Sequence, residues 1–245
     1  MGLLNKILGR EEWGQREKQQ KDQVFDTVIG YDDIKEVLTL SLESREPVHI
    51  LLSGPPASSK TLFLLDILNH NKERAYFIDG ARTSKVGIFD LCFELRPRIL
   101  IIDEIDGLQR KDQKALLNLM ETGILSVTVH KKIQTTQIKC WVYATMNDPS
   151  KLIAPLKSRF QSLHLPEYTR EQFISICTKL LERKGIHTES AHTVAEIVYD
   201  QMDVKDPRQV IRLGNMIGSI DTDRIDMHKL RRIVSTCIKY GAPDT

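Results

Sequence analysis

No apolar run in the sequence approaches the roughly 20 residues that a membrane-spanning helix needs, and the start carries no secretory core followed by a small-residue cleavage site. An intracellular, cytoplasmic protein without a transmembrane segment is expected. Cysteine is sparse: Cys92, Cys140, Cys177 and Cys237 lack C-x-x-C spacing, and three of them sit in apolar periodic segments. That argues against a disulfide framework or a zinc module and for buried free thiols. Strong charge of either sign is also missing. A net charge of +2 does not single out a nucleic-acid binder, although it leaves room for a local basic patch. Repeats and low-complexity tracts are absent. What remains is an ordinary folded composition, 41% hydrophobic and 28% charged over 245 residues, long enough for one large domain or two modest ones.

The patterning divides the chain. Residues 1–24 place Leu3, Leu4, Ile7 and Leu8 at helical spacing ahead of a polar tether. This amphipathic stretch is a candidate adaptor helix for a partner protein, a helix that touches a membrane surface, or a helix packed on its own domain. Over residues 25–166, short apolar runs (PVHILLSG, AYFIDG, RILIIDEID, KCWVYATMN) alternate with helical patterns such as KTLFLLDILNH and KDQKALLNLMETG. Strands alternating with helices predict an α/β domain with a parallel sheet sandwiched by helices. Over residues 167–245 the pattern turns wholly helical, with start and stop signals around TREQFISICTKLLERKG and the segments after it. A small all-α domain is predicted there.

The stretch LLSGPPASSKT follows an apolar strand and opens a helix. Its Gly54, Lys60 and Thr61 stand in the register of G-x-x-x-x-G-K-[ST], with Pro55, Pro56, Ala57 and Ser58 in the loop and Ser59 in the second glycine's place. Such a loop works because backbone N–H groups and the helix N-terminus cradle phosphates, while the lysine reaches the terminal phosphates and the hydroxyl meets Mg2+. Serine costs little there as long as the position keeps helical dihedrals, since only left-handed ones demand glycine. The alternative is a plain strand-turn-helix corner. Asp103 and Glu104 then stand at the C-terminal end of an apolar strand, where open α/β sheets hold ligands. Asp103 is placed to hold Mg2+ and Glu104 to orient or deprotonate an attacking water.

With these motifs the sequence resembles the AAA+ family of P-loop ATPases, from about Val28 to about Tyr240, and within it RuvB-type, MoxR and clamp-loader-like members. The resemblance implies an AAA+ core followed by a helical lid, with ATP and Mg2+ as cofactors. It implies that Val28 and Ile29 of VIGYDDIK line the adenine pocket. VYATMND resembles the sensor 1 strand, which gives Asn147 a part in positioning the lytic water. APLKSRF resembles the arginine-finger segment, with Arg159 reaching a neighbouring subunit's nucleotide and Arg170 as the competing candidate. DPRQVIRL resembles sensor 2, with Arg208 contacting the γ-phosphate. A finger acting in trans implies a homo-oligomer, in this family most often a hexameric ring.

The substrate of such a machine is read from two stretches. GARTSKVGIFDLCFELRP lies where the family's pore loop sits, and Lys85 stands where protein unfoldases carry an aromatic residue. ETGILSVTVHKKIQTTQIKCWVY alternates in polarity and predicts a hairpin with His130, Lys131 and Lys132 near its tip. Both lean towards a RuvB-like DNA-processing ATPase. The alternatives are a MoxR-like or unfoldase-like remodeller of protein complexes, and an ATP-dependent scaffold with little turnover.

Overall fold

A computed structural model describes residues 24–25, 28–129, 132–201, 206–217 and 227–240. The amphipathic start and the tip residues His130 and Lys131 lie outside the described residues. By internal contacts the chain forms two compact units: one comprises the chain up to Ser53 together with Ser59–His164, the other Gly54–Ser58 together with the chain from Leu165 onward.

The first unit is built on a five-stranded sheet. Its elements run α1 (Asp32–Glu43), β1 (Ile50–Ser53), α2 (Lys60–His70), β2 (Ala75–Asp79), α3 (Lys85–Leu95), β3 (Ile99–Asp103), α4 (Arg110–Thr122), β4 (Ile124–Val129), β5 (Lys132–Gln137), β6 (Trp141–Met146), α5 (Ala154–Lys157) and β7 (Gln161–His164). The strand order is β2-β3-β6-β1-β7 and every pairing is parallel. This is the α/β architecture the alternating pattern predicts. The runs ILL, ILII and WVYATM are continuous because parallel strands covered on both faces have no solvent side to alternate towards. Every residue of β6 is buried, and Tyr143 within it satisfies its hydroxyl against Ser41 on α1 at 2.7 Å.

Two elements depart from the pattern. The segment read as a pore loop folds as helix α3 from Lys85, capped by Ser84, whose hydroxyl accepts the Gly87 N–H at 3.3 Å. Ile88, Phe89 and Cys92 bury its inner face. Strand β7 was unannounced, because QSLH keeps its side chains largely exposed and is held by backbone pairing along β1. The β4–β5 hairpin forms in the predicted place, with Val129 paired to Lys132.

The second unit packs helices α6 (Arg170–Glu182), α7 (Thr188–Gln201), α8 (Pro207–Ile217) and α9 (Met227–Tyr240). A capping box between Thr169 and Gln172 starts α6. Phe173, Leu181, Val194, Val198, Val210, Leu230 and Val234 form its buried interior. Cys92, Cys140 and Cys177 are buried free thiols, and burial pushes the Cys92 thiol up to about 12. Among the described residues no helix is long and apolar enough to cross a membrane.

Candidate functional site

The loop after β1 depends on unusual backbone. Gly54 has φ 150°, and a Cβ there would lie 2.4 Å from the carbonyl oxygen of Leu165, so only glycine fits. Ser58 is buried and donates its hydroxyl to Pro55 O at 2.8 Å, which tightens the turn. Ala57 (φ 64°) and Ser59 (φ 64°, ψ 10°) are both left-handed. The expectation that position 59 could keep helical dihedrals is thereby corrected. Serine stands in a conformation that costs an L-residue about 1–2 kcal/mol, and strain of this kind concentrates where a loop is shaped for a ligand. Lys60 opens α2 and is buried at 7% exposure.

Thr61 follows on the first turn of α2 and donates its hydroxyl to both carboxylate oxygens of Asp103, at 3.1 and 3.3 Å. Two groups 42 residues apart thus meet at the C-terminal ends of β1 and β3. Thr145 on β6 closes the cluster: it donates to Asp103 Oδ1 and accepts the Glu104 N–H at 2.9 Å. Glu104 leaves the strand in the left-handed region (φ 52°, ψ 52°) with an exposed side chain. One hydroxyl and one carboxylate suit Mg2+, which keeps several waters and takes its remaining ligands from phosphate oxygens. Among the described residues no cluster of three or more His, Cys, Asp or Glu offers an all-protein metal cage.

The other candidates stand elsewhere in the first unit or in the second. Asn147 follows β6 and is exposed, and its N–H and that of Asp148 donate to the carboxylate of Asp106 at 3.3 and 3.1 Å. Val28 is buried in the first unit and Ile29 is half-buried. Arg159 follows α5 and gives Nε and Nη2 to Glu121 Oε1. In the second unit, Arg208 stands on the first turn of α8 with Nε 2.9 Å from Asp206 Oδ2. Arg170, also there, is gripped by Asp200 at 3.0 and 3.1 Å and approached by Glu196 at 3.5 Å. Sequence reading passed over Thr145, Asp106 and Glu121. The first had a signal, a polar residue inside an otherwise apolar strand; the other two had none.

A cleft of about 710 Å3 opens where the start of α3, one face of α4 along its length and β4 meet. Lys85, Arg110, Lys111 and Lys114 line it, over a floor that includes Leu125 and Ile153, and no carboxylate is among its lining residues. The Lys85 backbone is fixed there by its N–H bond to the buried Asp112 at 2.6 Å.

Residues 50–167 match the family model described as "ATPase family associated with various cellular activities (AAA)". Residues 50–167 thus form a domain of the AAA+ ATPase type. Among its relatives, the Holliday junction branch migration complex subunit RuvB of Fusobacterium nucleatum subsp. nucleatum is 30% identical over 172 residues, covering 64% of this chain and 51% of that protein. The replication factor C small subunit of Methanococcus vannielii is 24% identical over 222 residues, covering 82% of this chain and 64% of that protein. The chain spans about half to two-thirds of the length of these curated relatives. Among solved structures, the Thermotoga maritima RuvB branch migration motor matches with a TM-score of 0.62 at 24% identity, covering 85% of this chain and 69% of that one. That likeness speaks for the fold alone.

Proposed function

We propose that this AAA+ protein binds Mg2+-ATP, hydrolyses it in a homo-oligomeric ring, most simply a hexamer, and uses the cycle to process DNA in the cytoplasm. The observation that carries the catalytic part is the convergence of Thr61 and Thr145 on Asp103. In this reading residues 25–166 form the nucleotide-binding domain and 167–245 the lid. Gly54–Ser59 and Lys60 hold the phosphates, Thr61 and Asp103 hold the ion, and Val28 and Ile29 flank the base. Mg2+ offsets the negative charge that phosphoryl transfer spreads over the γ-oxygens. Glu104 orients or deprotonates the attacking water, with Asn147 steadying it from the end of β6. Arg159 reaches the neighbour's γ-phosphate and Arg208 contacts it from the lid, each bringing a fixed cation to a site where water is excluded. Arg159 is preferred over Arg170 as the finger because Arg170 is committed to two carboxylates of its own unit.

The DNA part rests on the cleft of Lys85, Arg110, Lys111 and Lys114. Four cations without a carboxylate suit a phosphate backbone, and the relatives named above for Holliday junctions and replication support the same direction. Steady-state ATP hydrolysis by the purified chain, alone and with single-stranded, duplex and branched DNA, tests both parts. Stimulation by DNA that weakens steeply with salt is expected, as is loss of turnover with retained nucleotide binding in Glu104→Gln. DNA-indifferent turnover would redirect the reading to a protein-remodelling machine. The strain at Ser59 favours a second reading, a nucleotide-dependent scaffold, for which Glu104→Gln would leave a low basal rate unchanged.

A further inference from the structure

The segment between α5 and β7 pins the backbone of Arg159 from both sides. Leu156 before it is fully buried, and its carbonyl accepts the Arg159 N–H at 3.1 Å. Phe160 after it is buried with its ring edge-on to His49 at 6.3 Å. The backbone fixes only the start of the side chain: the side chain is 46% exposed, and an arginine without a partner samples many rotamers.

Glu121 removes that freedom. Its Oε1 accepts Nε of Arg159 at 2.8 Å and Nη2 as well, a side-on contact with one edge of the guanidinium. Glu121 stands on the last turn of α4, after buried Leu119 and directly after Met120, whose carbonyl faces His49 Nε2 at 3.4 Å. A guanidinium has five N–H groups. The contact uses one edge, and the outer edge, formed by Nη1 and the second Nη2 hydrogen, is the fork that meets two phosphate oxygens at once. Among the described residues Glu121 is the one carboxylate paired with Arg159. A pair this exposed contributes little to stability, so its consequence lies in orientation.

We propose that Glu121 is a positioning residue for the arginine finger: it fixes the Nε edge of Arg159 within its own subunit and presents the outer fork to the nucleotide of the adjoining one. The proposal rests on the reading of Arg159 as that finger. Without Glu121 the guanidinium must be ordered anew in each turnover, and misplacement by about 1 Å costs up to about 100-fold in rate. Glu121→Ala lowers kcat about tenfold and leaves the KM for ATP unchanged, because the bound nucleotide is held by another subunit's loop. Glu121→Gln retains an acceptor oxygen and keeps at least about half of the rate.

Mixed subunits provide the test. Lys60→Ala chains, whose own loop is disabled, donate fingers to Arg159→Ala chains, whose loop is intact, and hydrolysis returns on mixing. Replacing the donor with the Lys60→Ala/Glu121→Ala double variant should cut the recovered rate about tenfold, and Lys60→Ala/Glu121→Gln should largely restore it. Thermal unfolding of each variant confirms that the exposed substitution leaves the fold intact. A Glu121→Ala donor as effective as its parent, or a Glu121→Gln donor as impaired as Glu121→Ala, overturns the proposal while leaving the finger in place. Failure of the parental mixture to recover any hydrolysis removes the finger reading itself, and the proposal with it.

Discussion

Thr145 on β6 donates its hydroxyl to the carboxylate of Asp103 on the adjoining strand β3, and the same oxygen accepts the N–H of Glu104. A single 1%-exposed side chain thus orients the candidate ion ligand and fixes the backbone of the candidate base. Thr145→Val keeps the shape of the side chain and removes both bonds. It leaves the Glu104 N–H without its partner and should destabilise the fold by about 1–3 kcal/mol, with kcat reduced about tenfold or more as Glu104 shifts. Thr145→Ser should retain most of both quantities, read by urea unfolding and steady-state hydrolysis.

Ser59 offers the opposite experiment. Its left-handed backbone is one that glycine adopts without steric cost. Ser59→Gly should therefore stabilise the protein by about 1 kcal/mol, or about 2–4 °C in Tm for a chain of this size, with hydrolysis unchanged or faster. A lowered Tm would show that the serine side chain contributes more than its backbone strain takes away.

Gly80 follows β2 and touches the exit of β3. A Cβ on Gly80 would lie 2.4 Å from the Glu104 carbonyl oxygen and 3.0 Å from its carbon, a clash with backbone that no rotamer change relieves. Gly80→Ala should cost about 1–3 kcal/mol and impair hydrolysis more than nucleotide binding, because the displaced residue is the candidate base. Comparing kcat with nucleotide affinity in this variant distinguishes a displaced Glu104 from general loss of fold.

His49 makes stability depend on pH. Its Nδ1 accepts the Val142 N–H at 3.1 Å, so the ring is neutral with its proton on Nε2, towards Met120 O. Burial lowers its pKa below 6.5, outweighing the opposing backbone bond to Met120. The folded state therefore binds this proton less readily than the unfolded chain. Its contribution is fully present above about pH 6.5 and declines as the pH falls from there towards the lower folded-state value. Chemical denaturation between pH 7.5 and pH 5 should show that decline, and His49→Gln should flatten it.

Much of the fold was legible in the residues because hydrophobic patterning is local. The runs ILII and WVYATM specify strands buried on both faces wherever they sit in a sheet, and TREQ announces a capping box from four letters. The loop from Gly54 to Thr61 and the acidic pair after β3 were legible for the same reason, since each is contiguous and chemically distinctive. Helix α3 was misread as a loop because Gly87 interrupts its first turn and its exposed Val86 and Phe93 obscure the apolar face. Strand β7 escaped because its only specification is the backbone of β1.

The sequence by itself determined which residues occupy the loop and which elements carry them. Tertiary structure decided that position 59 is left-handed, that Thr61 and Thr145 both meet Asp103, and that Glu121 holds Arg159 across 38 residues of chain. The reason is physical. Periodicity and motif spacing are properties of neighbours along the chain, whereas a backbone dihedral in a closed loop and a bond between distant side chains exist only once the sheet and its helices have brought the ends of β1, β3 and β6 together.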